Sequence, residues 1–278
     1  MIKDIAAVSH FLEKSVRDFT DLAVIGTSGG VDSSVVASIC VAALGTDHVH
    51  LVSMPYDQVD VTTFNARSAE LATRLRAHHH IVPVGDSCRA LEKEIQAQFP
   101  NQSLQLLTKA NIRPRVRMNA LYSICGELSL TSKKRVRVMG TGHLSEDLIG
   151  YDTKGGDALA DIFILSDLVK SEVYQLAEHY GVPSSITEAP PSAGLYADQT
   201  DFGELGFTYD ELEQATLALY HAIKRGLDVP QIHTKLPEFD GLEARHVDFV
   251  VSRYKTHFHK HRAPVTVDCR NPHWFGEI

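Results

Sequence analysis

The chain has 278 residues, 44% of them hydrophobic and 22% charged, enough for one large domain with a substantial core. Its formal net charge of −8 excludes non-specific nucleic-acid binding, which needs a basic excess to displace counterions, but not a local basic site for a small anion. No apolar run approaches the ~20 residues that cross a bilayer, residues 1–20 lack the apolar stretch of a secretion signal, and the four cysteines form no CxxC pair, which predicts a cytoplasmic protein with reduced thiols.

Apolar residues at helical spacing from Ile2 to Phe19 predict an opening amphipathic helix. LAVIG (22–26) reads as a buried strand, and 33–44 as an apolar helix. A second strand at 48–54 precedes a helix at 62–77, and a third at 80–84 precedes a helix at 87–99. A long helix is expected at 112–128, with Pro114 placed in its first turn, where a missing N–H costs nothing. RVRVMGT (135–141) reads as the fourth strand. The β–α repetition predicts an α/β fold with a doubly wound, Rossmann-like parallel sheet. Beyond 141 the chain turns glycine- and aspartate-rich, then helical near 167–180, 209–225 and 243–259. One domain is expected, with an α/β core over about 21–192 and a helical C-terminal part over about 193–278.

The stretch VIGTSGGVDSS (24–34) leaves the first strand through two glycines and enters a helix. In a doubly wound sheet, ligands bind beyond the carboxyl ends of the strands. Glycines there let the backbone approach a ligand, and the N–H groups of the loop and helix start attract an anion. Ser28, Ser33 and Ser34 add hydroxyls, and Asp32 offers an oxygen ligand to a hard cation such as Mg²⁺. A plain turn with a serine cap is the bland alternative. No GxxxxGK[ST] pattern is present, so this is not a Walker loop.

SGGVDS resembles the pyrophosphate loop of the ATP pyrophosphatases, which cleave ATP between the α and β phosphates. GTGHLSEDLIGYDTKGGDALADI (140–162) resembles the ammonia-dependent NAD synthetases of that superfamily. NIRPRVRM (111–118), DLVKSEVYQLAEHYGVP (167–183), PPSAGL (190–195), QTDFGELGFTYDELE (199–213) and HKHRAPV (259–265) extend the likeness over most of the chain. The resemblance implies ATP-dependent amidation of deamido-NAD by ammonia, through an acyl adenylate, to give NAD, AMP and pyrophosphate. It implies ATP contacts from Gly26, Thr27, Ser28, Gly29, Gly30, Val31, Asp32, Ser33, Thr141, Lys170 and Ser192, with Ser28, Lys170 and Ser192 near the reacting phosphates. Asp32 and Glu146 would coordinate Mg²⁺, and Asp157 would hold ammonium and take a proton. Asn111, Arg115, Arg117, His143, Lys154, Asp161, His259 and Lys260 match the dinucleotide or phosphate side. A homodimer is implied as well. Whether ammonia arrives free or from a partner glutaminase stays open.

The chain departs from the family pattern in three places. Asp152 brings an acidic group, beside the larger Ala158 and Leu159, into a loop that would face the dinucleotide; it either repels the diphosphate or faces solvent. Leu107 stands where some members stack an aromatic on the pyridine ring, and Pro114 replaces a small residue. The alternative is therefore an amide ligase of the same loop type acting on a different carboxylate. A tRNA-thiolating relative would need reactive cysteines, whereas Cys40 and Cys125 fall on apolar helices. HHH (78–80) and HFHKH (257–261) look like metal tracts, but no cysteine or carboxylate set accompanies them; a helix end entering a strand and a basic tail are the simpler readings.

Overall fold

The computed structural model describes residues 1–57, 64–192, 199–260 and 262. An amphipathic helix, α1 (Ile5–Phe19), is capped by Asp4, whose carboxylate accepts the Ala7 N–H at 2.9 Å. There follow β1 (Leu22–Gly26), α2 (Val31–Leu44), β2 (Val49–Ser53), α3 (Phe64–Leu75), β3 (His78–Ile81), α4 (Gly85–Ala97), α5 (Leu106–Ser132) and β4 (Val136–His143). The second half holds α6 (Leu144–Asp147), β5 (Ile162–Leu165), α7 (Lys170–His179), α8 (Ser184–Thr187), α9 (Asp201–Leu205), α10 (Tyr209–Lys224) and α11 (Ala244–His257). The five strands run parallel in the order β3-β2-β1-β4-β5. The chain winds outward from β1 in both directions, so the crevice lies where the β1 and β4 connections part.

Strand alternation divides the core. Ala23, Ile25, Leu51 and Leu165 pack with α1, α2 and α7 on one face. Leu22, Val24, Val52, Val136 and Val138 pack with Cys88, Ile112, Met118 and Leu121 on the other. Both faces are covered, which is why these strands read as near-continuous apolar runs. A third cluster, with Tyr209, Leu212, Leu219, Val247, Val250 and Tyr254, joins α10 to α11. Through α10 it leans on α6 and α7, bringing the C-terminal helices over the crevice. Cys40, Cys88 and Cys125 are buried free thiols whose pKa values burial pushes up, as core cysteines require. Among the described residues no helix is long and apolar enough to cross a membrane.

The fold corrects the expected elements in three places. The fourth strand is followed by a fifth, β5, whose four residues lie too close to the glycine-rich loop to show a period of their own. The third strand starts at His78, so the whole HHH tract lies in the sheet. The long helix begins at Leu106, so Pro114 sits in its interior rather than its first turn. Proline there removes one backbone bond and normally costs about 3 kcal/mol. Here its ring is buried beneath the loop after α6: a Cβ added to Gly156 would stand 2.8 Å from Pro114 Cβ. The proline thus forms the floor on which that loop rests.

Candidate active site

The loop after β1 is held by its own hydroxyls. The Thr27 N–H donates to Val52 O at 2.9 Å, and the Gly30 N–H to Ser28 Oγ at 3.2 Å. Ser33 and Ser34 both donate from Oγ to Gly30 O, at 3.1 and 2.8 Å. Gly29 takes φ +75°, a left-handed turn that costs a side-chain-bearing residue about 1 kcal/mol. Gly30 caps the fourteen-residue α2, leaving the helix N-terminus open towards a cavity of about 270 Å³.

That cavity is lined by residues 26–33, by Met139–Gly142 at the end of β4, by Glu146 and Asp157, and by Arg117, Lys170 and Ser192. At its edge four charged or titratable side chains from four elements converge. Lys170 Nζ lies 2.8 Å from both carboxylate oxygens of Asp32 and 3.3 Å from His143 Nε2. His143 Nε2 lies 3.6 Å from Asp32 Oδ1 and 3.5 Å from Glu146 Oε1. One ligand atom each from Asp32, His143 and Glu146 falls within a 4.8 Å span, so the set could hold a cation. Tyr209 stands edge-on to His143, lies 5.4 Å from Lys170 Nζ, and donates to Asp201 at 2.9 Å.

The electrostatics follow from burial and sign. Burial raises the Glu146 pKa well above the usual carboxylate range, and the Asp32 charge beside it adds to the rise. Burial works the same way on Asp32, but the Lys170 ammonium overcomes it and holds that carboxyl down. Lys170 is raised in turn: burial alone would lower it, and Asp32 and Glu146 more than compensate. His143 is pressed down to about 3 by burial and by Lys170, so its ring is neutral. The Asp32–Lys170 pair therefore carries the settled charges of the cluster, the His143 ring is neutral, and the Glu146 anion is disfavoured until a further cation joins it.

A second group of the expected residues assembles outside the cavity lining. Thr153 donates to Asn111 Oδ1 at 2.8 Å, and Arg115 Nε to Lys154 O at 3.2 Å. Lys154 Nζ donates to His259 O at 3.0 Å. Lys260 Nζ reaches the carbonyls of Gly150 and Asp152 at 2.7 and 2.6 Å and pairs with the Asp152 carboxylate at 3.3 Å. Asp152 therefore neither stands against the crevice as a lone anion nor faces solvent, since its side chain is only 7% exposed and has Lys260 as counter-ion. Together these bonds strap the 150–157 loop between α5 and the end of α11. Asp161 accepts the Val138 N–H at 2.8 Å and stitches the start of β5 to β4. Leu107 is 68% exposed on the first turn of α5, away from the cavity. Asp201 and Tyr209 were not singled out from sequence, although QTDFGELGFTYDELE contains both.

Gly150 tests the strap. It takes φ +59°, and a Cβ there would stand 2.2 Å from His257 Cβ. Gly150→Ala should destabilise the protein by about 2 kcal/mol through left-handed strain plus overpacking, visible as a lower urea midpoint.

The NAD synthase family model matches residues 4–264. A curated relative, the NH(3)-dependent NAD(+) synthetase of Methanocaldococcus jannaschii, is 33% identical over 262 residues, spanning 93% of this chain and 94% of its own. That of Methanococcus aeolicus is 37% identical over 197 residues, 70% of this chain and 74% of its own. Among solved structures, an NMN synthetase from Francisella tularensis superposes with a TM-score of 0.75 at 26% identity, covering 96% of this chain and all of that one. A match along nearly the whole length, with relatives above 30% identity across most of both chains, means that this chain belongs to the NAD synthase family.

Proposed function

We propose that the protein amidates deamido-NAD with ammonia at the expense of ATP, giving NAD, AMP and pyrophosphate. The observation that carries this reading is the meeting of Asp32, Glu146 and Lys170 at the mouth of a preformed anion-binding loop. The loop N–H groups and the α2 N-terminus bind the departing pyrophosphate, with Ser28 and Ser33 adding hydroxyl contacts. Lys170 swings from Asp32 to the phosphates when ATP enters, and Ser192 and Thr141 bind alongside it. Asp32 and Glu146 would hold Mg²⁺, a fit supported by two carboxylates whose ligand atoms fall within 4.8 Å, the Glu146 anion being disfavoured by burial and then by Asp32. When bound, the ion neutralises charge on the triphosphate.

The acceptor carboxylate attacks the α-phosphorus, and the bond to the β-phosphate oxygen breaks. Ammonia then attacks the acyl carbon, AMP leaves, and Asp157 takes the surplus proton. Thr153 N–H donates to Asp157 Oδ1 at 2.9 Å, which orients the carboxylate on the cavity wall. Arg117, held by Met54 O at 3.1 Å, supplies positive charge to the acceptor from the lining. Asn111, Arg115, Lys154, His259 and Lys260 act through the strap they tie, and Asp161 through the strand it anchors. We also propose that the protein works in the cytoplasm as a homodimer.

The test is turnover with ATP, Mg²⁺ and ammonium, following AMP, pyrophosphate and NAD together. Deamido-NAD should be converted with one AMP and one pyrophosphate per NAD. Formation of ADP and orthophosphate would overturn the loop assignment. Nicotinate mononucleotide belongs in the same assay, because one solved relative is an NMN synthetase. Its exclusive amidation would replace the dinucleotide with the mononucleotide as acceptor.

A further inference from the structure

The HHH tract gains a fourth member only in the folded sheet. β3 is an edge strand, and its register sets His50 opposite His78 and Val52 opposite His80. With a side-chain period of two, His50, His78 and His80 share one face, while His79 turns to the other and meets Ser53 at 2.8 Å. The His50 and His78 rings stack at 4.7 Å and 13°, and those of His50 and His80 lie 5.3 Å apart at 21°. His50 Nδ1 faces His80 Nε2 at 3.0 Å. None of the three lines the cavity described above.

We propose that His50 and His80, joined by His78, bind a borderline divalent transition ion such as Zn²⁺ at the open edge of the sheet. Two nitrogens on one tetrahedral ion, each at about 2.0–2.1 Å, stand about 3.3 Å apart. The observed separation needs to widen by only a few tenths of an ångström. Without an ion, one ring donates its proton to the other. A tautomer shift in that ring moves the proton to its far nitrogen and leaves two lone pairs facing each other, and a tilt of both rings brings them onto one ion. His78 is exposed and can swing from its stacked position to supply a third nitrogen, with water completing the shell. Imidazole suits Zn²⁺, Ni²⁺ and Cu²⁺, whereas Mg²⁺ prefers oxygen, so millimolar Mg²⁺ leaves this histidine site open to a transition ion. The ion would clamp a four-residue edge strand to β2, where backbone pairing alone is weak.

The experiment uses untagged full-length protein, stripped of metal and dialysed into millimolar Mg²⁺, with Zn²⁺ as the added probe. Equilibrium dialysis should give one Zn²⁺ per chain that Mg²⁺ does not displace. Thermal unfolding should shift upward by several degrees, since an ion bound to the native state alone stabilises it. His80→Gln and His50→Gln should each lose both the bound ion and the shift. His80 is the more exposed, so its variant decides the matter if His50→Gln folds poorly. The Asp32→Asn/Glu146→Gln double variant should keep the zinc. Absence of stoichiometric binding, binding that survives His80→Gln, or binding lost with the carboxylate pair would each overturn the proposal.

Discussion

Lys170→Met should abolish pyrophosphate release and destabilise the fold by about 3 kcal/mol. Lys170 lies buried at the first position of α7, and its ammonium touches both oxygens of Asp32 at 2.8 Å. Removing one partner of a buried pair leaves the other charge uncompensated, which costs about 3–5 kcal/mol; the Asp32 side chain is 21% exposed, which places the loss at the low end. Methionine keeps most of the stem, so the loss reports charge rather than packing. Adding Asp32→Asn should restore most of the stability without restoring turnover, because the double variant has neither the orphan charge nor the phosphate contact. Urea unfolding and a pyrophosphate assay read the two effects separately. A single variant with ordinary turnover would remove Lys170 from the phosphate site.

Glu146→Gln should lower turnover by about 10²–10³-fold, the scale typical of losing one group that stabilises transition-state charge. It should also raise the Mg²⁺ concentration needed for half-maximal rate. Stability should move in the opposite sense. Glu146 is a carboxylate whose ionised form is disfavoured by burial and by Asp32, so a neutral amide of equal volume relieves repulsion in the metal-free protein. Higher thermal stability without Mg²⁺, joined to a rate deficit with it, is the expected signature. Equal rates at saturating Mg²⁺ would take Glu146 out of the metal site. Asp32→Asn should match the rate loss but not the stabilisation, because Lys170 then loses its counter-ion.

The two halves of the site differ in how far the residues could be read in order. Residues 24–34 carry strand, turn and helix start in eleven consecutive positions, and each part is set by local chemistry: glycine freedom, hydroxyl caps and an apolar period. The strap was less legible. Asn111, Arg115, Lys154 and Lys260 stand out in motifs, yet their ties run from α5 through the 150–157 loop to residues after α11. Asp152 looked like a liability until its partner was visible 108 residues away. Pro114 read as a helix start because proline is costly inside a helix, and only the packing of Gly156 against it gives the ring a place there.

What the sequence determined by itself is whatever depends on neighbours along the chain: the alternation of strands and helices, their parallel arrangement, the anion-binding turn and the apolar character of each buried face. The tertiary structure alone decided which charges meet. Asp32 on α2, His143 at the end of β4, Glu146 on α6 and Lys170 on α7 come together because the strands on either side of the switch point deliver their loops to one crevice. The same reason applies at the far edge, where a tract of three histidines became a candidate ion site only when strand pairing set His50 beside it. Which residues stand opposite one another depends on both strands and their packing together, so neither strand read alone places His50 beside His80.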